Sequence, residues 1–362
     1  MNILGIESTC DETSASVVKD GQKILSNIVA SSVDLQKKYG GVVPEVAARE
    51  QIKVIVPVIA EALIKVTQIR NTKFEIRNNL SNPKILNWVK QNLDAIAISY
   101  GPGLIGSLLI GVETAKTLAV AFNKPLIKVN HLVGHIYANW LQPMRHSNDQ
   151  IPNPKFPLIA LIVSGGHTDL VLVKGHGDYK LIGTTLDDAA GETFDKVARL
   201  LGLPYPGGGE IERLASKFTN SNFQTPKIIL PRPMIGSKDL NFSFSGLKTA
   251  VFNIMKNDEL KIMNKAEIAD EVQKAIVDVL VKKTINASQQ FDCSTIVIGG
   301  GVSANRLLRS QMTDNATRLK IKTFCPSENL CVDNGAVIAV AGFYNQDKID
   351  PQKLEVNPNL HF

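Results

Sequence analysis

Apolar positions along this chain fall into short, nearly unbroken runs separated by small polar turns, the pattern of strands covered on both faces. The run around which the rest is arranged is Leu158 to Val173, LIALIVSGGHTDLVLV. Two apolar, β-branched stretches flank Ser164-Gly165-Gly166-His167-Thr168, which predicts a hairpin with a glycine turn. Two residues without Cβ, with hydroxyls on either side, let backbone N–H groups close on an anion, so phosphate is the expected guest. An ordinary hairpin turn uses the same residue types, and the turn alone does not decide between the two.

The pattern repeats. Met1 to Val18 has the same layout, an apolar strand, a polar turn from Ser8 to Thr13 and a second strand. In each half a later strand then enters a glycine loop and a helix. In the first half Ala95 to Ser99 leads to Gly101-Pro102-Gly103-Leu104-Ile105-Gly106, and in the second Thr295 to Ile298 leads to Gly299-Gly300-Gly301-Val302-Ser303-Ala304-Asn305. Such loops bring helix N-termini, with their unpaired N–H groups, beside a ligand. A third correspondence pairs Pro125 to Val129, which leads into Asn130 to His135, with Ile321 to Phe324, which leads into Ser327 to Gly335. Two like halves predict an α/β protein of two lobes with a ligand cleft between them.

The unrepeated segments set the expected boundaries. Pro44 to Val66 is an amphipathic helix pattern with Pro44 in its first turn and Pro57 kinking or dividing it. Arg70 to Lys84 is polar and reads as a surface excursion. Proline-rich Gln142 to Pro157 is the expected linker, which gives an N-terminal lobe over 1–141, a linker over 142–157, a C-terminal lobe over 158–345 and a tail over 346–362. The second half is the longer, and its extra material, mainly helical, is placed at about 198–256.

Composition narrows the classes. With 362 residues, two lobes are the prior; 44% hydrophobic and 20% charged residues are ordinary for a soluble globular chain. The most apolar helical stretch, Ser107 to Phe122, is interrupted by Glu113 and Lys116, so no membrane span is expected, and a strand pattern from the first residues leaves no room for a secretory or transit segment. Four cysteines without a CxxC pair point to reduced thiols and a cytoplasmic setting. A net charge of +6 permits a nucleic-acid partner without requiring one.

Several constellations could carry chemistry. His131 and His135 would share one face of a helix and could ligate one divalent metal, with Asp333 reaching the same cleft from the other half by pseudo-symmetry. Position 132 is Leu, so the catalytic Glu of a zincin is missing. Asp188, Glu192 and Asp195 would line one side of a helix; the loop after it, Pro206-Gly207-Gly208-Gly209, lets backbone approach a planar or sugar ligand, which makes Asp195 and Glu212 candidate ribose acceptors. Asp11 and Glu12 in the first polar turn could orient a water, a metal or an attacking amine. From Gly208 to Lys256 the chain is locally basic, and Lys227, Arg232 and Lys238 are candidate phosphate contacts for a nucleic acid.

These motifs together, with Ile6 to Thr13, Tyr39 to Glu45, Asp187 to Lys196, Phe242 to Ala250, Gly299 to Arg309 and Cys331 to Ala336, resemble the bacterial TsaD (Gcp) family. The resemblance runs from the first residue to about Gly342. It implies a fold of two pseudo-symmetric actin-like (ribonuclease H-like) lobes and a tRNA threonylcarbamoyladenosine transferase that uses threonylcarbamoyl-adenylate. It also implies His131, His135 and Asp333 as ligands of one divalent metal, Fe2+ ahead of Zn2+ or Mg2+. By the same resemblance Ile162, Val163, Ser164, Gly165, Gly166, Asp195, Gly208, Glu212 and Asn305 hold the adenylate, and Asp11 and Glu12 lie near the reacting carbonyl. Implied partners are tRNA, a TsaB-like paralogue, a TsaE-like ATPase and the synthase that makes the adenylate; no membrane is implied. Gln36 and Gln51 stand where family members commonly have His, and the excursion at Arg70 to Lys84 is an insertion; neither departure is expected to touch the metal or nucleotide residues. Two other enzyme classes compete: a small-molecule kinase of the same fold, which needs no imidazole ligands, and a metal-dependent peptidase, for which no general base is placed. A non-catalytic ATP-binding scaffold would predict loss of the metal set, which is intact.

Overall fold

The computed structural model describes residues 1–67, 80–142, 153–219, 228–256 and 265–362. The chain opens with β1 (Asn2–Glu7), β2 (Glu12–Lys19) and β3 (Lys23–Ser31), an antiparallel meander. After a short α1 (Val33–Gln36), α2 (Pro44–Thr67) runs through Pro57 as one element, so the proline does not divide it. Then come α3 (Pro83–Asn92), β4 (Ala95–Gly101), α4 (Ile105–Phe122), β5 (Leu126–Asn130) and α5 (His131–Tyr137). β4 lies parallel to β1 and β5 parallel to β4, pairings that need crossover connections, which the helices between them supply. Most of the expected excursion at Arg70 to Lys84 and most of the expected linker lie outside the described residues.

The second half follows the same plan. β6 (Leu158–Val163), β7 (Thr168–Gly175) and β8 (Asp178–Thr184) form a meander, and α6 (Ala190–Leu200), α7 (Gly207–Thr219), α8 (Ser245–Lys256) and α9 (Lys265–Gln290) follow. β9 (Thr295–Gly299) lies parallel to β6; after α10 (Arg306–Arg318), β10 (Lys322–Phe324) lies parallel to β9. The chain ends with α11 (Glu328–Cys331), α12 (Gly335–Asn345) and β11 (Lys348–Ile349). The first sheet has the order β11-β5-β4-β1-β2-β3 and the second β10-β9-β6-β7-β8. Apart from the added β11 the two orders are the same, so the repeat read from motif order is a repeat of topology.

Two compact units result, Met1–Asn153 with Pro326–Phe362, and Pro154–Cys325. This corrects the expected second lobe at its C-terminal end: residues 326–345 belong with the first unit. The cause is close packing. A Cβ on Gly5 would meet Gly335 O at 2.0 Å and Ala339 N at 2.6 Å, so α12 lies on bare backbone of β1. Ser14 Oγ also accepts from Gly335 N at 2.9 Å.

Each unit has its own core. In the first, Leu4, Ile6, Ile59, Leu63, Ile96, Ile98 and Val112 cluster; in the second, Leu161, Val163, Phe194, Phe242, Phe244, Ile276 and Ile298 do. α4 is long and apolar enough to cross a membrane by length and composition, against the expectation drawn from Glu113 and Lys116. Those two pair with each other at 2.8 Å, while Leu108, Val112, Ala115 and Ala119 are buried in the first unit. The material expected to be mainly helical at about 198–256 is only partly so: among its described residues 228–244 form an irregular segment. That segment is tied to α9, where Glu267 accepts from Ile228 N at 3.2 Å and Glu271 from Leu230 N at 3.0 Å. All four cysteines are free thiols.

A candidate metal centre and a candidate nucleotide turn

α5 begins where β5 ends because Asn130 is extended and caps the helix, its side-chain oxygen accepting from Leu132 N at 2.8 Å. The cap puts His131 in the first turn and His135 one turn later. Asp333 sits in the short link before α12, and Asn334 fixes that link by accepting from Ala336 N and Val337 N. The three side chains converge: Asp333 Oδ1 is 3.5 Å from His131 Nε2 and 3.3 Å from His135 Nε2, and one ligand atom from each lies within 4.8 Å of the others. The expected set therefore meets, but Asp333 belongs to the same compact unit as the histidines and does not come from the other half.

The site's own chemistry fits a cation. His135 is fully buried, and its Nδ1 has no hydrogen-bond partner among the described residues. Two imidazoles and a carboxylate gathered in this way are a donor set for a borderline divalent metal. Burial alone would depress His131, but Glu7, 3.0 Å from its Nδ1, and Asp333 outweigh that and lift it to about 9. Glu12 goes up to about 10, chiefly because it is buried and then because Asp333 and Asp11 are close; Ser31 opposes weakly. Burial and the same three carboxylates also raise the Cys10 thiol.

The turn that carries Asp11 and Glu12 is held through its carbonyls. Gln51 Nε2 donates to Ser8 O at 3.3 Å, Cys10 O at 2.9 Å and Glu12 O at 3.1 Å; Ser107 Oγ donates to Cys10 O, and Ser32 N to Asp11 O. Gln51 thus supports the backbone of the turn that bears Asp11 and Glu12, and these contacts include none of the candidate metal or nucleotide residues. Gln36 is buried too, accepting from Val43 N at 2.9 Å and donating at 3.5 Å to Ser32 Oγ, which in turn donates to Asp11 O.

In the second unit the other candidates gather at the carboxyl ends of β6 and β9, the end where open α/β sheets take ligands. Ile162 and Val163 end β6 with buried side chains, so only their backbone can meet a ligand. Ser164 N donates to His167 O at 2.9 Å, leaving Gly165 and Gly166 exposed, and a Cβ on either would meet nothing within 4 Å. α6 is pressed against this turn: Gly191 N donates to Ser164 O, and a Cβ on Gly191 would lie 2.4 Å from that oxygen. Gly300 has φ of +89° and approaches Val163 O as closely. Asp195 Oδ1 accepts from Gly207 N at 2.6 Å, Glu212 Oε1 from Arg306 N at 3.0 Å, and Asn305 caps α10 while donating to Gln273 at 2.9 Å. Gly208 has open space where a side chain would go.

The acidic stretch before α6 divides its labour. Asp187 accepts from the backbone N–H groups of Phe244 and Ser245 and from the hydroxyls of Ser243 and Ser245, and Asp188 with Glu192 pairs Lys196. The basic stretch is corrected at one residue: Arg232 is tied to Glu271 and, at 3.0 Å, to Asp278 of α9, so it is a brace and not an available phosphate contact. Lys238 is exposed, and Lys227 lies outside the described residues. Sequence reasoning missed Glu7 and Gln273, buried polar residues that each bond a residue distant in sequence, and named Gln51 without its three carbonyl partners.

A sheet topology used twice, with a glycine loop after β4 in one copy and after β9 in the other, is that of the actin-like ATPase fold. Solved structures bear out that fold: HypF of T. kodakarensis superposes with a TM-score of 0.56 over 95% of this chain and 47% of that one at 15% identity, and the (R)-2-hydroxyglutaryl-CoA dehydratase component A of Acidaminococcus fermentans with 0.51 over 95% and 98% at 13% identity. The chain belongs to the TsaD family, described as tRNA N6-adenosine threonylcarbamoyltransferase, whose profile matches residues 23–75 and 82–340. Relatives of that name are 48% identical in Dehalococcoides mccartyi, over 99% of both chains, and 44% identical in Geobacillus kaustophilus, over 99% of this chain and 96% of the relative.

Proposed function

We propose that the chain transfers the threonylcarbamoyl group of threonylcarbamoyl-adenylate to the exocyclic amine of the adenosine beside the anticodon in tRNAs that read codons beginning with A. The observation that carries this reading is full-length similarity to proteins of that name, in a chain that also brings His131, His135 and Asp333 together. The amine attacks the carbamoyl carbon, the bond from that carbon to the phosphate oxygen breaks, AMP departs, and the amine's proton goes to the departing phosphate or to solvent.

In this reading the second unit binds the adenylate. Gly165 and Gly166, exposed and with open space where a side chain would go, admit the phosphate beside the backbone of Ile162, Val163 and Ser164, and Asp195, Gly208, Glu212 and Asn305 take the nucleoside. His131, His135 and Asp333 would hold one divalent metal, Fe2+ before Zn2+ or Mg2+. When bound, such an ion supplies Lewis-acid stabilisation of charge on phosphate oxygens. Asp11 and Glu12 act at the carbonyl. Glu12, beside Asp11 in the first turn, is placed to orient the carbonyl for attack. A TsaB-like paralogue, a TsaE-like ATPase and the adenylate synthase complete the reaction, in the cytoplasm.

The test is nucleoside mass spectrometry of unmodified tRNA incubated with threonine, bicarbonate, ATP, the synthase and the partner proteins. Threonylcarbamoyladenosine should form only when this chain is present. Equal product without it would overturn the reading.

A further inference from the structure

Glu7 is the last residue of β1, and its side chain is fully buried. A carboxylate in such a place costs several kcal/mol of desolvation unless what it meets repays it. Among the described residues it meets two donors, one on each oxygen: Thr9 N donates to Oε1 at 2.6 Å, and His131 Nδ1 lies 3.0 Å from Oε2. Thr9 Oγ1 stands 3.4 Å from the same ring nitrogen. The Thr9 contact ties the carboxylate to the turn, which fixes Oε2 and leaves the ring one orientation. With Nδ1 as the donor, the nitrogen left to ligate is Nε2, the one that faces Asp333. His135 has no such carboxylate, since its Nδ1 finds no partner among the described residues. The two histidines therefore differ in how firmly their ligating nitrogens are set.

We infer that Glu7 is the positioning residue of the metal centre, holding the Nδ1–H of His131 so that Nε2 is presented to a divalent cation. The inference rests on the metal-site reading above, and the experiment separates the two. Its probe is Co2+, added to the metal-free full-length chain, with affinity measured by chelator competition and ligand geometry by the visible absorption band. Glu7→Gln keeps the shape, but its single oxygen can serve Thr9 N or His131 Nδ1 and not both, so Co2+ affinity on the alkaline plateau of its pH dependence, where no proton competes at His131, should fall by about tenfold with a shifted band; Glu7→Ala should lose about 10- to 100-fold there. Thermal unfolding of the metal-free variants shows that the loss is not one of folding; if Glu7→Ala does not fold, Glu7→Gln decides alone. Parental affinity and spectrum in Glu7→Gln, with His131→Ala weakened, would overturn the positioning role. Parental Co2+ binding in His131→Ala would instead remove the metal site beneath it.

Discussion

Metal binding at the His131, His135 and Asp333 centre should be steeply pH-dependent and should expel a proton. In the metal-free protein, against the opposing effect of burial, Glu7 and Asp333 hold His131 at about 9. A group raised above its ordinary 6.5 contributes stability to the metal-free fold that is fully present below 6.5 and is lost as pH rises through about 9. A cation needs Nε2 deprotonated, so at pH 7 it must displace a proton held some two pH units too tightly, a cost of about 2.7 kcal/mol. Affinity for Co2+ should therefore rise about tenfold per pH unit from 7 towards 9 and then level off. Chelator competition at several pH values gives that slope, and calorimetry in buffers of different ionisation enthalpy counts the protons, about one per ion at pH 7.5. A pH-independent affinity with no proton released would refute the placement of His131 between two carboxylates, its Nε2 facing the cation.

Other expected outcomes follow from single contacts. Asp333→Ala should lose most of the bound metal while remaining folded, which metal analysis of the purified variant checks; an undiminished metal content would exclude Asp333 as a ligand. Gly208→Arg projects into open space, so calorimetry should show weak adenylate binding at near-parental thermal stability, and normal affinity would remove Gly208 from the nucleotide site. Gln51→Leu strips the side-chain donor from three carbonyls of the Ser8 to Glu12 turn and should cost about 1–3 kcal/mol in denaturant unfolding. Parental stability there would mean that the turn holds itself. Charge reversal of exposed Lys238, the one candidate phosphate contact that is both described and not tied to an acid, should flatten the salt dependence of tRNA binding by roughly 0.7 to 0.9 log units for each phosphate no longer neutralised, with adenylate affinity unchanged. Arg232→Glu should instead destabilise the second unit, because it sets a third acid beside Glu271 and Asp278.

What the sequence made legible was the part written in local chemistry. β-branched runs broken by Gly and Ser turns mark both hairpins, and the order of the glycine loops reveals one topology used twice. The spacing of His131 and His135 needs only a helix, which Asn130 caps. Long-range fit was not legible. Asp333 lies on the first unit because Gly5 and Gly335 let β1 and α12 touch backbone to backbone, and neither glycine stands out from the others in the sequence. Glu7 ends an apolar strand and could as well have been a surface acid; its partner lies more than a hundred residues away. Gln51 reads as one polar residue on an amphipathic helix until its amide is seen against three carbonyls. Arg232, in a basic run, looks free until α9 packs beside it.

Transfer of the threonylcarbamoyl group should be coupled one to one with departure of AMP. Synthetic threonylcarbamoyl-adenylate, this chain, its partner proteins and unmodified tRNA, in a single turnover, allow AMP and threonylcarbamoyladenosine to be measured in the same sample. Equal amounts of both are expected, dependent on this chain and strongly reduced in Asp333→Ala. AMP released without modified adenosine, or modified adenosine formed at the same rate without the chain, would contradict the claim.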